Sequence, residues 1–547
     1  MTRRPTAVES AVVISGVTSM GMEILAGRLI APSFGSSIYT WGAIIGVFLA
    51  ALTAGYHRGG KRAADANRAT LARLFLATTA YVAFVIVAGE YIVRAGLGVP
   101  VPPRFGPLLP VTVLFGPPVY LLGFVSPYAA ELSDRTDIGA AAGNVYALGT
   151  FGSIVGAFGA TYLLVPELTI TQVGAVFGAL QVGAAVALTG VSPSRRQVAV
   201  VVVVCAMLTG ATAVGSLGPN PAGDTVYGTQ TAYQELAVVD DGGVRTLYLD
   251  GHRHSAMDLD DPDDHVFTYT RYFHLPLLVR EDPDIERVLF IGGGGFTGPK
   301  AFESRYDVAV DVVEIDPEVV RVAKEYFRVE EGPNTSITVG DGRRFLRSTD
   351  HEYDVVVLDA YRQDKVPFHM TTVEFFELVR EKLSPDGVVV ANTIGAPTGS
   401  GSKFVRAEYA TMGEVFPQVY AVPTTDGGSV QNVELVATKS ADRIDRETLR
   451  ERATARDVGV PLSDAIDRWR TDLPTGGVPV LTDDRGQELR LLDPLAGSKY
   501  VIEENGSGTA GALSEPGAAA VDRPVTAPTA GPPLHERAGE RITGTAA

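Results

Sequence analysis

A single cysteine, Cys205, occurs in 547 residues, and it lies in an apolar run. One thiol cannot form a disulfide within the chain, and it cannot build a cysteine metal site. No metal is expected. Positive charge is scarce where a polyanion would need it. Residues 219–547 hold 33 Lys and Arg against 55 Asp and Glu, a net of −22. Such a surface repels a phosphate backbone, so nucleic acid is not an expected partner. Residues 1–218 are poor in charge of either sign, with 13 Lys and Arg against 8 Asp and Glu. The chain is too long for one core, and the contrast between its halves marks the main division.

What fills the charge-poor part is apolar sequence of spanning length. Such segments recur at about 11–31, 39–56, 70–93, 107–130, 140–165, 171–191 and 197–217. A bilayer core needs roughly 20 apolar residues per helix, which predicts seven transmembrane spans over 1–218 and a lipid bilayer as partner. Gly149, Gly152, Gly156 and Gly159 recur every three or four residues and predict a close-packing helix face. Glu23, Arg28, Glu90 and Arg94 are ionisable groups within or near the spans. Intramembrane charges are candidates for guiding a substrate, although groups near a helix end can snorkel to the interface.

Orientation sets two arguments against each other. Arg3, Arg4, Arg58, Lys61, Arg62, Arg68, Arg195 and Arg196 fall on one side of the membrane. The positive-inside rule makes that side cytoplasmic, and seven spans then place residue 219 outside. A ligand of the soluble half that is made in the cytoplasm would instead require that half there. The expectation is a multi-pass cell-membrane protein with a cytoplasmic catalytic domain, against the charge bias of its loops.

In the soluble half, 225–239 and 244–250 alternate like strands around the turn Asp240-Asp241-Gly242-Gly243, predicting a β-hairpin subdomain over 219–284. A short helix is expected at 264–279. From 287 strands alternate with helices: strands at 287–291, 309–315, 336–339, 353–358 and 387–392, with helices at 298–304, 317–327 and 371–383. That rhythm predicts a parallel sheet covered on both faces over 285–494. Strands near 416–422 and 431–437 close it as an antiparallel hairpin. The predicted fold class is an α-helical membrane bundle followed by an α/β domain, a Rossmann-like sheet of the methyltransferase type. Residues 495–547, rich in Gly, Ala, Pro, Thr and Ser, are expected to be a disordered tail.

The chemistry concentrates at strand ends. The run Val288-Leu289-Phe290-Ile291 stops at Gly292, Gly293, Gly294 and Gly295, and Glu314 ends the next strand 22 residues after Gly292. Glycines admit a ligand close to the backbone, and an acid at the following strand tip suits ribose hydroxyls. A nicotinamide enzyme shares this pattern, so by itself it specifies only a nucleoside site. Asp341, followed by Gly342, can accept from an exocyclic adenine amine or simply cap the next helix. Asp359 ends the fourth strand, where a carboxylate can orient an amine and take its proton. Asp364, Lys365 and His369 follow in a polar loop.

Together these residues resemble the spermidine synthase family of aminopropyltransferases, in its membrane-fused branch. The likeness spans about 225–490, with Tyr233-Gln234, Leu249-Asp250-Gly251 and His274-Leu275-Pro276-Leu277 matching the family's N-terminal segment. The resemblance implies that Gln234, Glu314, Asp341, Gly342 and the glycine loop hold decarboxylated S-adenosylmethionine. It implies Asp359 as the catalytic acid–base residue, Tyr269 and Asp364 on the side of the small-molecule amine (putrescine or a related amine), and a homodimer. Three departures stand out. Gly295 replaces an aspartate of the family's loop, Thr268-Tyr269-Thr270 replaces a Tyr-His-Glu stretch, and Asp364 stands further from Asp359 than the family's second aspartate. A methyltransferase-like enzyme using ordinary S-adenosylmethionine, and a nucleoside-binding transporter or sensor, are the alternatives.

Overall fold

The computed structural model describes residues 6–34, 38–99, 101–133, 137–189, 195–215, 223–231, 233–360, 366–485, 491–492, 495 and 500–505. The apolar half folds into helices α1 (Ala7–Phe34), α2 (Ile38–Lys61), α3 (Arg68–Leu97), α4 (Leu108–Leu122), α5 (Val125–Glu131), α6 (Ile138–Gly159), α7 (Val165–Glu167), α8 (Ile170–Thr189) and α9 (Arg195–Gly215). Six helical segments among the described residues are long and apolar enough to cross a membrane: α1, α2, α3, α4 with α5, 139–167, and α8. The seventh expected span is helical as α9, but its apolar stretch, Val198–Ala213, is shorter than the other six.

Glycines fix how these helices meet. A Cβ on Gly152 would overlap the carbonyl of Val13, one on Gly156 the carbonyl of Val17, and one on Gly16 the carbonyl of Gly149. The expected stripe on α6 is therefore a backbone-to-backbone seam with α1, although Gly159 faces open space. The order of contacts gives direction. Val13 and Val17 meet Gly152 and Gly156 in sequence, so α1 and α6 run parallel; Leu29 and Phe34 meet Gly89 and Gly96, so α3 runs with them. Gly174 and Gly178 of α8 meet Ile86 and Thr79 of α3, so α8 runs the other way.

The helices therefore alternate in direction, and the basic loops gather at one end of the bundle while the soluble half joins the other. Near the C-terminal end of α1, the Arg28 guanidinium donates to the carbonyls of Val165 at 2.6 Å and Thr231 at 3.0 Å. The Ile170 N–H donates to the Gln230 side chain at 3.0 Å. Arg28 thus clamps the bundle to the soluble half. Glu90 and Arg94 pair with each other at 2.6 Å, both about half exposed.

The soluble half opens with a four-stranded antiparallel sheet in the order β1 (Asp224–Gln230), β2 (Glu235–Asp241), β3 (Val244–Leu249), β4 (His252–Asp258). The expected hairpin is thus twice as large. The run 225–239 breaks at Thr231–Gln234, and β4, whose sequence His-Arg-His-Ser-Ala-Met-Asp carries little apolar alternation, completes the sheet. Gly242 and Gly243 turn β2 into β3, and Asp250 and Gly251 turn β3 into β4; all four have positive φ. Two left-handed residues per turn match the twist of the strands they join. The single helix expected at 264–279 is two, α10 (Thr268–Tyr272) and α11 (Pro276–Val279). Pro276 has no N–H with which to continue α10, so the chain restarts there.

The main domain follows in the order β5 (Arg287–Ile291), α12 (Thr297–Arg305), β6 (Ala309–Glu314), α13 (Pro317–Tyr326), β7 (Thr335–Val339), α14 (Gly342–Ser348), β8 (Tyr353–Leu358), α15 (Val373–Lys382), β9 (Leu383–Gly395), α16 (Lys403–Val415), β10 (Gln418–Pro423), β11 (Val430–Thr438), α17 (Arg446–Ala455) and α18 (Ser463–Arg468). Its sheet has the order β10-β11-β9-β8-β5-β6-β7. The five strands β9 to β7 are parallel, and β11 is antiparallel to β9 and β10. The predicted hairpin at the end of a parallel sheet is present. Val288, Phe290, Val355, Val357 and Val390 face one core, and Leu289, Ile291, Val356, Leu358 and Val389 the other. Burial on both faces is why these strands read as unbroken apolar runs.

The boundary of the expected tail is corrected. β12 (Tyr500–Val501) pairs parallel with β11 at Val430 and Gln431, and Glu503 accepts a backbone hydrogen bond from Thr268 at 2.9 Å. Residues 500–505 are part of the fold. Residues 506–547 of that expectation lie outside the described residues. The helical seam gives a direct test: Gly152→Leu should destabilise the detergent-solubilised chain by about 1–3 kcal/mol through forced separation of α1 and α6. Gly159→Leu, with space to spare, should leave its thermal midpoint unchanged.

Candidate active site

Strand order leaves β5 going outward to β6 and β7, and β8 going the other way to β9, so a crevice opens between the carboxyl ends of β5 and β8. The glycine loop occupies it. Gly292 has φ +98°, and a Cβ there would overlap the carbonyl of Asp359. The two strand ends are thus locked together at a spacing only glycine permits. Gly294 (φ +51°) and Phe296 (φ +59°) complete the turn into α12, with the Phe296 ring fully buried.

Gly295 has its own structural reason. Its N–H donates to Ser255 Oγ on β4 at 2.9 Å, and a Cβ at 295 would press on the Ser255 Cβ. The N-terminal sheet closes on the loop where a side chain would otherwise stand.

Glu314, at the end of β6, is buried and accepts from the N–H groups of Gly293 at 2.8 Å and Asp316 at 2.9 Å. Burial raises its pKa, and those backbone donors work against the shift. Asp316 caps α13 and accepts from Thr231 Oγ1 at 2.6 Å, with the Gln234 side chain also hydrogen-bonded to it. Gln234 therefore lies beside the acids at the end of β6. Asp341 performs the capping role weighed for it, accepting from the Arg344 N–H at 2.8 Å, and its other oxygen lies 2.8 Å from His369 Nε2. Burial pushes Asp341 up, but those hydrogen bonds and the nearby cationic groups outweigh it, and its pKa is lowered. A Cβ at Gly342 would overlap the Ile291 side chain, so this helix start packs directly on β5.

Asp359 sits where β8 ends. Its Oδ1 accepts from Asn392 Nδ2 on β9 at 2.7 Å. Asn392 Oδ1 accepts from Asn432 Nδ2 on β11 at 2.8 Å, and Asn432 Oδ1 accepts from the Tyr500 hydroxyl at 2.6 Å. This ladder of amides fixes the carboxylate across three strands. Burial raises the Asp359 pKa to about 7, the Asn392 bond opposes the shift, and the charge of Glu314 adds to it. Tyr269 of α10, buried and hydrogen-bonded to the carbonyl of His254, feels the charges of Asp359 and Glu434. The groups gathered here are acidic and aromatic, which would suit a cationic ligand.

The structure brings Gly292, Gly293, Gly294, Gly295, Glu314, Asp341, Gly342 and Asp359 around one crevice, with Gln234 and Tyr269 at its N-terminal-sheet side. Asp364 lies outside the described residues. Ser255, Asn392, Asn432, Glu434 and Tyr500 were not anticipated. Asn392, Asn432 and Glu434 do interrupt otherwise apolar strands, and that interruption was the available signal.

A methyltransferase-type sheet with a glycine loop at its switch point and an acid at each of three neighbouring strand ends defines a nucleoside-dependent transferase. Residues 267–438 match the Spermine/spermidine synthase domain family. A polyamine aminopropyltransferase of Vibrio vulnificus is 33% identical over 216 residues, 38% of this chain and 70% of that protein. One of Chromobacterium violaceum is 32% identical over 227 residues, 41% of this chain and 83% of that protein. Among solved structures, a probable spermidine synthase from Corynebacterium glutamicum aligns with 48% of this chain and 97% of its own, at 23% identity and a TM-score of 0.41. The chain belongs to the spermine/spermidine synthase family and is an aminopropyltransferase.

With its pKa raised to about 7, Asp359 would accept a proton only when ionised, were it to act as a base. Catalytic efficiency, kcat/KM, should therefore rise as pH climbs through about 7 and fall tenfold per unit well below it. That acidic limb should be missing from the residual activity of Asp359→Asn.

Proposed function

We propose that this protein is a membrane-bound aminopropyltransferase that moves the aminopropyl group of decarboxylated S-adenosylmethionine to putrescine or a related amine. Asp359, pinned by Asn392 beside the glycine loop, is the observation that carries the reading. The amine nitrogen forms a bond to the carbon next to the sulfonium as the carbon–sulfur bond breaks. The electron pair of that bond goes to sulfur, giving neutral methylthioadenosine, and Asp359 takes the proton lost by the new secondary amine. Because the sulfonium is already a good leaving group, the protein contributes chiefly alignment and deprotonation.

Glu314 and Asp341 are the donor-side acids in this reading. Glu314 accepts from the backbone N–H groups of Gly293, Asp316 and Gly294, and in this reading its remaining acceptor capacity takes a ribose hydroxyl. The charge of the chamber favours the decarboxylated donor over ordinary S-adenosylmethionine. Glu314 acts on Asp359 and Asp359 on Glu434, and no cationic group is among the influences on either Asp359 or Glu434. Among the described residues, a donor carboxylate brought beside Asp359 and Glu434 would meet two further carboxyl groups.

The membrane reading rests on six spanning-length helices together with α9. In this reading the catalytic half is cytoplasmic, where the donor is made, and helices that alternate in direction would then leave the basic loops outside. In a Cys205→Ala background, a membrane-impermeant maleimide on intact cells should label Lys61→Cys and leave Asp241→Cys unlabelled. The reverse pattern would put the catalytic half outside and require a supply of donor across the membrane.

The catalytic assignment is tested by following methylthioadenosine release. Asp359→Asn should bind methylthioadenosine as the wild type does, while turnover falls by about 10²–10⁴-fold. Turnover within a few-fold of wild type would remove Asp359 from the proton transfer.

A further inference from the structure

Glu434 is a carboxylate set into an apolar stripe. On β11 it shares a face with Val436, and it stands opposite Asn392 on β9, which shares a face with Val390 and Val388. Those valines belong to the central core. Glu434 is fully buried, at 0% exposure, and neither of its oxygens has a hydrogen-bond partner among the described residues. The neighbouring amides, Asn392 and Asn432, direct their donors along the ladder toward Asp359 instead. Asp359, Tyr269 and Tyr500 all interact electrostatically with it.

A buried carboxylate without a partner is one of the most costly arrangements in a protein interior. Packing alone would be served better by the valine or leucine that the neighbouring positions carry. The missing partner is cationic or a hydrogen-bond donor, and the described residues supply neither. Resting on the proposed transfer, we infer that Glu434 is the counter-ion for the ammonium group that the acceptor amine keeps charged while its other nitrogen is deprotonated by Asp359. The acceptor is then a diamine or longer polyamine: Asp359 serves the nitrogen that reacts, Glu434 the one that does not, and the tyrosines of α10 and β12 border the alkyl stem between them. Glu434 also offers the amine side of the chamber a charge that Gly295, closed over by Ser255, cannot carry.

The test measures kcat/KM for 1,4-diaminobutane and for 1-aminobutane, with decarboxylated S-adenosylmethionine saturating and the full chain in detergent. Wild type should prefer the diamine by at least about a hundredfold, the strength of a desolvated ion pair. Glu434→Gln should reduce that preference at least about tenfold through the diamine's KM, with the donor's KM and the affinity for methylthioadenosine unchanged. Glu434→Asp should recover part of the preference. A preference that Glu434→Gln leaves intact, or an effect confined to the donor's KM, overturns the assignment. Glu434→Leu, which removes the buried charge without leaving a polar group, provides a second folded variant and should show the same loss. Wild-type protein that releases no methylthioadenosine with any amine would instead defeat the proposed transfer itself, a result distinct from the other two.

Discussion

The close approach of Gly292 to Asp359 is the constraint on which the site depends. Two strand ends meet at the switch point of the sheet with no room for a Cβ between them. The loop that would cradle a nucleoside and the carboxylate that would take a proton are thereby held at one fixed spacing by backbone alone. Alignment is the main thing a catalyst can add when the leaving group is already a sulfonium, and backbone contact is the stiffest way to supply it. The adjoining contacts reinforce it: Glu314 ties down Gly293, and Ser255 ties down Gly295.

The second support comes from the other side of the crevice. Asp359 is oriented by an amide ladder that crosses β9 and β11 and ends on the Tyr500 hydroxyl of β12. The antiparallel hairpin that distinguishes this sheet from an all-parallel one therefore helps to orient the proposed base. It carries both the ladder and Glu434. The N-terminal sheet closes the chamber through Ser255 and links it to the membrane half. Arg28 of α1 holds the Thr231 carbonyl, and the Thr231 hydroxyl holds Asp316. A charge that the sequence marked as a possible guide for substrate is engaged in docking.

Most of the main sheet was legible because its strands are buried on both faces and bounded by glycine or acid. Runs such as Val355-Val356-Val357-Leu358 and Val388-Val389-Val390 admit few other readings. The glycine loop, Glu314, Asp341 and Asp359 were legible because strand-end chemistry is local. β4 was missed because five of its seven residues are polar and its partner strand, not its own pattern, makes it a strand. Tyr500 lay in a stretch whose composition reads as a tail, and its pairing with β11 spans some seventy residues. Asn392, Asn432 and Glu434 were missed for a related reason: each becomes meaningful only when register brings the three together. Long-range pairing is what a one-dimensional pattern carries least.

The proposed transfer requires an acidic site suited to a donor that lacks a carboxylate. Calorimetric titration of the purified full chain with decarboxylated S-adenosylmethionine, ordinary S-adenosylmethionine and methylthioadenosine tests it most directly. The decarboxylated form should bind at least about tenfold more tightly than S-adenosylmethionine, about 1.4 kcal/mol, and methylthioadenosine should bind as well. Equal or tighter binding of ordinary S-adenosylmethionine would contradict it and point to a methyltransferase-like reaction on this fold.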